Sequence, residues 1–148
     1  MYQQLKEKLW AYIVHNNPDL MFDLQEEYKV TTYLEDKVSA VMPTALKLLE
    51  AGKEGHAIHE LCLNEMTAEL KPSRYHYISR ILSEEFAEDY ERLKESGLLT
   101  YETVNLVGYC KPEFEAINFN EGNSKSDQFR HLVRMKIFKY LSEESKIK

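Results

Sequence analysis

Three features of the sequence predict an all-α protein with about six or seven helices. Apolar residues recur at intervals of three and four along most of the 148 positions, and this spacing places them on one face of a helix. Only five glycines and four prolines occur, which is too few for the many tight turns of a β-sandwich. Residues that cap or terminate helices divide the apolar pattern into segments of helical length.

The chain begins with an amphipathic helix that carries Leu5, Leu9 and Ile13 on one face. This helix is expected to end just before Pro18, because proline disfavours helical geometry in the residue that precedes it. Asn17 then caps a second helix, with Pro18 in its first position.

Two features interrupt the helical pattern between residues 23 and 52. The segment from Tyr28 to Leu34 is rich in β-branched and aromatic residues, so the sequence leaves open whether it is a helix or a short strand. Pro43 cannot donate a backbone hydrogen bond and is expected to break or kink the helix that contains it. Gly52 provides a natural end to this region.

The remaining helices follow from similar signals. A helix runs from about Glu54 to Leu70, and Ser73 caps a long helix that ends at Gly97. Shorter helices start near Thr100 and Pro112, and Ser126 caps the last one. Its predicted apolar face consists of Phe129, Leu132, Val133, Ile137, Tyr140 and Leu141. The length is that of one domain, so we expect a single compact bundle over residues 1–148, with a polar tail that frays after about residue 142.

Composition narrows the classes of function. A net charge of −6 disfavours nonspecific attraction to nucleic acid and to anionic membranes. Cys62 and Cys110 are too few to form a disulfide framework. The N-terminal segment lacks the continuous apolar core of a signal peptide, and no apolar run has the length of a membrane span. We therefore expect a cytoplasmic protein without a membrane partner.

The stretch "HAIHELCLNE", residues 56–65, contains the residues most typical of a metal site. On a helix, His56 can meet Glu60, and His59 can meet Cys62. The order is nevertheless neither H-E-x-x-H nor H-x-x-E-H, and the chain contains no Glu-x-x-His for a di-iron site. Cys62 also fits the apolar face of its helix. These four residues are the metal candidates of a third hypothesis, a metal-dependent enzyme. We expect no cofactor and no catalytic residues, and we favour a protein that is not an enzyme.

A second hypothesis is binding to DNA or RNA. The segment "ELKPSRYHYISR" resembles a helix-turn-helix, in which the start of the second helix reads the groove. The candidate contacts are Arg74, His76, Arg80, Arg130 and Arg134. The many glutamates on the same helices would repel phosphates, so this hypothesis is the alternative.

Binding to another protein is the function that the sequence favours. The acidic segment that starts at residue 84 and the basic C-terminal helix are charged surfaces suited to contacts within the chain or with a partner. The predicted protein-contact residues are Glu84, Glu85, Glu88, Asp89, Lys136 and Lys139. The sequence leaves open whether the chain forms a homo-oligomer.

Three short segments also resemble a known pattern. They are "NPDL", "GHAIHELCLNEM" and "SRYHYISRILSEEF", within residues 17–86. Together they resemble a domain-of-unknown-function family of small helical bacterial proteins that are often encoded on mobile elements. The resemblance implies an all-helical fold and a bacterial cytoplasm. It supplies no catalytic residues, because the family has no established activity.

Overall fold

The computed structural model describes the backbone of residues 1–147 and the side chains of residues 1–143. In this part of the chain 83% of residues are helical and there is no strand, which confirms the predicted all-α class. The chain divides into two compact units, the first spanning Met1–Lys71 and the second beginning at Pro72. The single domain remains a prediction. The predicted frayed tail falls mainly on residues beyond the described side chains.

Nine α-helices occur within residues 1–147, more than the six or seven predicted. They are α1 (Tyr2–Asn16), α2 (Pro18–Glu26), α3 (Val30–Glu50), α4 (Gly55–Thr67), α5 (Arg74–Glu85), α6 (Ala87–Glu95), α7 (Leu99–Tyr109), α8 (Lys111–Ala116) and α9 (Asp127–Ile147). One extra helix arises because the long helix expected after Ser73 is interrupted at Phe86, whose φ of −132° and ψ of 48° are not helical. No described helix combines the length and the apolarity needed to cross a bilayer.

The open question about residues 28–34 is resolved as a turn followed by helix. Tyr28 adopts a left-handed φ of 57°, and α3 begins at Val30. Pro43 lies inside α3, so a break at this position is wrong, while the kink that was the other expectation stays a prediction. Its side chain and that of Ser39 are exposed, which places the missing hydrogen bond where water can replace it. The buried face of the same helix continues past Pro43 to Ala45.

The core of the first unit is built from α1, α3 and α4. Its buried residues are Leu5, Leu9, Ile13, Leu34, Val38, Val41, Ala45, Ile58, Cys62 and Met66. A fully buried aliphatic side chain of this kind stabilises the fold by about 1.5–3 kcal/mol. The predicted face of the first helix is therefore confirmed, and α4 is held in place by its apolar side.

The core of the second unit is built mainly from α5, α7, α8 and α9. Its buried residues are Ile78, Ile81, Leu82, Leu106, Val107, Cys110, Phe114, Phe129, Val133, Ile137 and Leu141. The predicted inward position of Leu132 is wrong, since 46% of its surface is exposed. The buried residues of α9 are spaced by four, and this spacing turns Leu132 away from the core.

Candidate binding surfaces

The helix α4 does not assemble its histidines, cysteine and glutamate into one site. His56 and Glu60 are exposed, while Cys62 is fully buried in the core. Among residues 1–143, no three His, Cys, Asp or Glu side chains come close enough to hold a metal ion. Burial raises the pKa of the Cys62 thiol, and nearby Glu65 raises it further, which disfavours the thiolate that a metal or a substrate would need.

His59 is the most unusual member of this group. Its Nε2 atom is buried and makes no hydrogen bond to any described residue. Burial lowers the pKa of His59, and the positive charges of Lys8, the N-terminal amine and His56 lower it further. The neutral imidazole thus behaves as part of the packing of the first unit.

Most of the predicted charged contacts pair with one another inside the second unit. Arg130 of α9 lies 2.8 Å from Glu84 and 3.1 Å from Glu85 of α5. Glu85 also lies 3.6 Å from Arg134. Burial alone would lower the pKa of Arg130, but the hydrogen bonds and charges of the two glutamates raise it. The basic and acidic surfaces of the sequence are thus largely used within the chain.

The other four protein-contact candidates divide into paired and unpaired residues. Lys136 lies 3.1 Å from Glu113, and Asp89 lies 3.2 Å from Arg92 within α6. Glu88 and Lys139 are exposed and make no ion pair with the described part of the chain.

One side of α9 exposes three large apolar residues, which we call the α9 apolar face. Leu132, Met135 and Phe138 keep 46%, 51% and 59% of their surface exposed. This face borders a groove of about 770 Å³ that also includes Phe86 and Leu141. Glu85, Asp89 and Arg134 form its polar edge. Met135 and Phe138 were not among the predicted contact residues, although their spacing from Leu132 by three and six residues places all three on one side of a helix.

A second, smaller depression has a basic lining, and we call it the basic groove. It encloses about 290 Å³ between the start of α5, the loop after α8 and the start of α9. Its lining consists of Pro72, Ser73, His76, Tyr77, Arg80, Phe119, Ser124, Lys125 and Arg130. Three of the predicted nucleic-acid contacts, His76, Arg80 and Arg130, therefore share one groove.

The two other nucleic-acid candidates lie elsewhere. The guanidinium of Arg74 stacks over the ring of Phe114 at 5.2 Å, and Arg134 pairs with Glu85. The helix-turn-helix-like segment also crosses the boundary between the two units, since α4 belongs to the first and α5 to the second. The predicted contacts are thus only partly brought together.

Local hydrogen bonds shape both sides of the basic groove. At the start of α5, the hydroxyl of Ser73 accepts a hydrogen bond of 3.1 Å from the backbone N–H of His76, as predicted for a cap. In the facing loop, Asn120 and Asn123 exchange two backbone-to-side-chain hydrogen bonds of 2.8 and 3.0 Å. The side chain of Asn123 also donates to the carbonyl of Ile117 at 2.8 Å. These bonds order the loop that carries Phe119, Ser124 and Lys125 to the groove.

Comparisons with protein-family models, with curated proteins and with solved structures give no match for this chain. The resemblance to a family of helical bacterial proteins therefore stays a prediction. The α9 apolar face and the basic groove are the two surfaces whose chemistry bears on function.

Proposed function

We propose that this protein is a non-catalytic interaction module that binds an amphipathic helix of a partner protein on the α9 apolar face. The observation that supports the proposal is the two-sided apolar character of α9. One side of this helix builds the core through Val133 and Ile137, and the opposite side exposes Leu132, Met135 and Phe138. A helix that is apolar on both sides is typically covered on both sides.

The shape of the surface suits a helix. Leu132 to Phe138 covers about 9 Å along the axis of α9, at 1.5 Å per residue, which matches two or three anchor side chains of a partner helix. The adjoining groove of about 770 Å³ offers Phe86 and Leu141 as additional apolar contacts. Large side chains inserted in such a groove carry most of the binding free energy in interfaces of this kind.

The rim of the α9 apolar face carries both signs of charge, but Glu85 and Asp89 are already paired with arginines, so an unpaired rim cation specifies the flank of the partner. Lys139 is exposed beside Phe138 and makes no ion pair with a described residue, so a carboxylate of the partner would find a cation there. A second copy of this chain fits less well. Its α9 would bring a second Lys139 to a rim where the first Lys139 has no ion-pair partner among the described residues.

The proposal is tested with a fluorescent peptide of 18 residues that forms an amphipathic helix with a leucine face and glutamates along its flanks. Phe138→Asp should weaken binding by at least about 30-fold, the effect of losing a central aromatic anchor. Tyr101→Asp is the matched control, because Tyr101 of α7 is 57% exposed, close to the 59% of Phe138. Fluorescence anisotropy measures both affinities, and a peptide with lysines in place of the glutamates should bind more weakly.

Three results would contradict the proposal. One is a peptide affinity that Phe138→Asp leaves unchanged, and another is equal affinity for the glutamate and lysine peptides. The third comes from sedimentation velocity of the full chain. A dimer that dissociates on Phe138→Asp, but not on Tyr101→Asp, would show that a second copy covers this face.

A further inference from the structure

We propose that the basic groove binds the phosphate group of a small phosphomonoester. The groove is separate from the α9 apolar face, and the proposal does not depend on the function proposed above. Four observations on the second unit support it: the sign of the lining charges, the lack of competing carboxylates, the preorganised position of one guanidinium and the size of the depression.

The lining charges are positive, and two of the three, on Arg80 and Lys125, have no carboxylate partner among the described residues, whereas Arg130 pairs with Glu84 and Glu85 outside the lining. Arg80 and Lys125 are exposed and make no ion pair with any residue up to 143, although the chain has 25 acidic residues. None of the nine described residues that line the groove is acidic. In a protein with a net charge of −6, such a local reversal of sign concentrates anions at this place.

Arg130 supplies a guanidinium that is already held in position. Its Nε donates to Glu85 at 3.2 Å and one terminal nitrogen, Nη2, donates to Glu84 at 2.8 Å. The other terminal nitrogen, Nη1, makes no hydrogen bond within residues 1–143. A guanidinium fixed in this way loses little freedom when it binds a phosphate oxygen, and its planar donors match phosphate geometry.

The start of α5 also favours an anion in the groove, although more weakly than the basic side chains do. Ser73 caps this 12-residue helix, and Ser73 and His76 of its first turn line the groove. The first-turn N–H groups of a helix favour an anion nearby. This effect supports a site that the side chains of Arg80, Lys125 and Arg130 define.

The size and walls of the groove favour a small ester over a nucleic acid. A volume of about 290 Å³ accommodates a phosphate and a small organic group, whereas a duplex presents its phosphates along an extended surface. Tyr77 and Phe119 form an aromatic wall, with ring centroids 5.1 Å apart. The Tyr77 hydroxyl itself is buried and makes no hydrogen bond to a described residue, so Tyr77 contributes its ring to this wall.

The experiment measures binding of inorganic phosphate and of phenyl phosphate to the full chain by isothermal titration calorimetry, with chloride replacing the ligand at constant ionic strength. We expect saturable binding of both, tighter for phenyl phosphate. Arg80→Gln and Lys125→Gln should each weaken it about tenfold, the effect of one lost charge-assisted hydrogen bond. Lys94→Gln and Lys139→Gln are the matched controls, because both residues are exposed, make no ion pair with a described residue and lie outside the groove. They should change the affinity less than twofold.

A 20-base-pair DNA duplex provides the second arm. Phosphate and phenyl phosphate that bind no better than chloride would overturn the proposal, and so would equal losses in the control variants. Duplex binding that is tighter than phenyl phosphate binding and sensitive to Arg80→Gln would assign the groove to nucleic acid instead. Phe138→Asp should leave phosphate binding unchanged, which separates this test from that of the α9 apolar face. Circular dichroism melting of each variant identifies any that fails to fold.

Discussion

α4 and α9 are both helices with one buried side, but they differ in whether their polar and exposed residues come together with residues of other elements. α4 carries two histidines, a cysteine and two glutamates, yet these residues are divided between the core and the solvent. α9 contains no stretch that resembles a reactive motif. It nevertheless contributes to the core, to ion pairs with α5, to the α9 apolar face and to the basic groove. The candidate surfaces of this chain therefore arise where side chains from several elements converge, and not from the residue types along one helix.

The largest expected effect distinguishes the two sides of α9. Ile137→Ala removes a fully buried side chain and should lower the free energy of unfolding by about 2–5 kcal/mol, because the packed core cannot close the cavity completely. Met135→Ala, on the exposed side, should change it by less than about 0.5 kcal/mol. Urea denaturation followed by circular dichroism measures both. Equal losses for the two variants would mean that the exposed side of α9 is packed in solution.

A smaller effect is expected for the ion pairs between α9 and α5. Arg130→Gln should cost at most about 1 kcal/mol, because Arg130 and its partners Glu84 and Glu85 are partly exposed and screened by water. In 1 M NaCl, which screens the charges, Arg130→Gln and the wild type should have the same free energy of unfolding. Arg92→Gln, which breaks a pair within α6, is the control. A loss of unfolding free energy well above 1 kcal/mol that persists in salt would contradict this prediction, because it would mean that these ion pairs stabilise the fold as strongly as buried contacts do.

The smallest effect concerns α4 and its pH dependence. The pKa of His59 is lowered in the folded chain, mainly by burial, so the unfolded chain binds the proton more tightly. The stability provided by the neutral imidazole is complete above the unfolded pKa, near 6.5, and is lost as the pH falls from this value through the lower folded pKa. Melting temperatures measured between about pH 7.5 and pH 5 should therefore fall more steeply for the wild type than for His59→Gln.

His15→Gln provides the control for this experiment, since His15 is an exposed histidine of the same unit. Parallel curves for the wild type and His59→Gln would show that His59 does not lose its proton on folding. If added zinc raises the melting temperature of the wild type but not that of His59→Gln, this result would contradict the statement that α4 forms no metal site.

The sequence predicted the helical class, most helix starts and much of the core. Ser73 and Ser126 cap helices as expected, and the stripe through Leu5, Leu9 and Ile13 is buried. These features are predictable because capping and apolar periodicity are local. The interruption at Phe86 was missed, because residues 74–95 keep an apolar spacing that one continuous helix would also satisfy.

The candidate sites were less predictable, because they depend on pairs of residues that are distant in the chain. His76 and Arg80 were correctly singled out as basic residues on one helix, but their position opposite Lys125 requires the loop that Asn120 and Asn123 order. The partners of Arg130 lie about 45 positions earlier, so no local pattern reveals them.

The sequence by itself determined that this chain is helical, where most of its helices begin, and which apolar residues line their inner faces. Those properties depend on interactions within four or five residues. Only the tertiary structure decided which charges neutralise each other, which basic residues are left to share a groove, and which side of α9 is exposed. Electrostatic attraction and burial act between residues that are neighbours in space, and the folding of the second unit brings α5, the loop after α8 and α9 together.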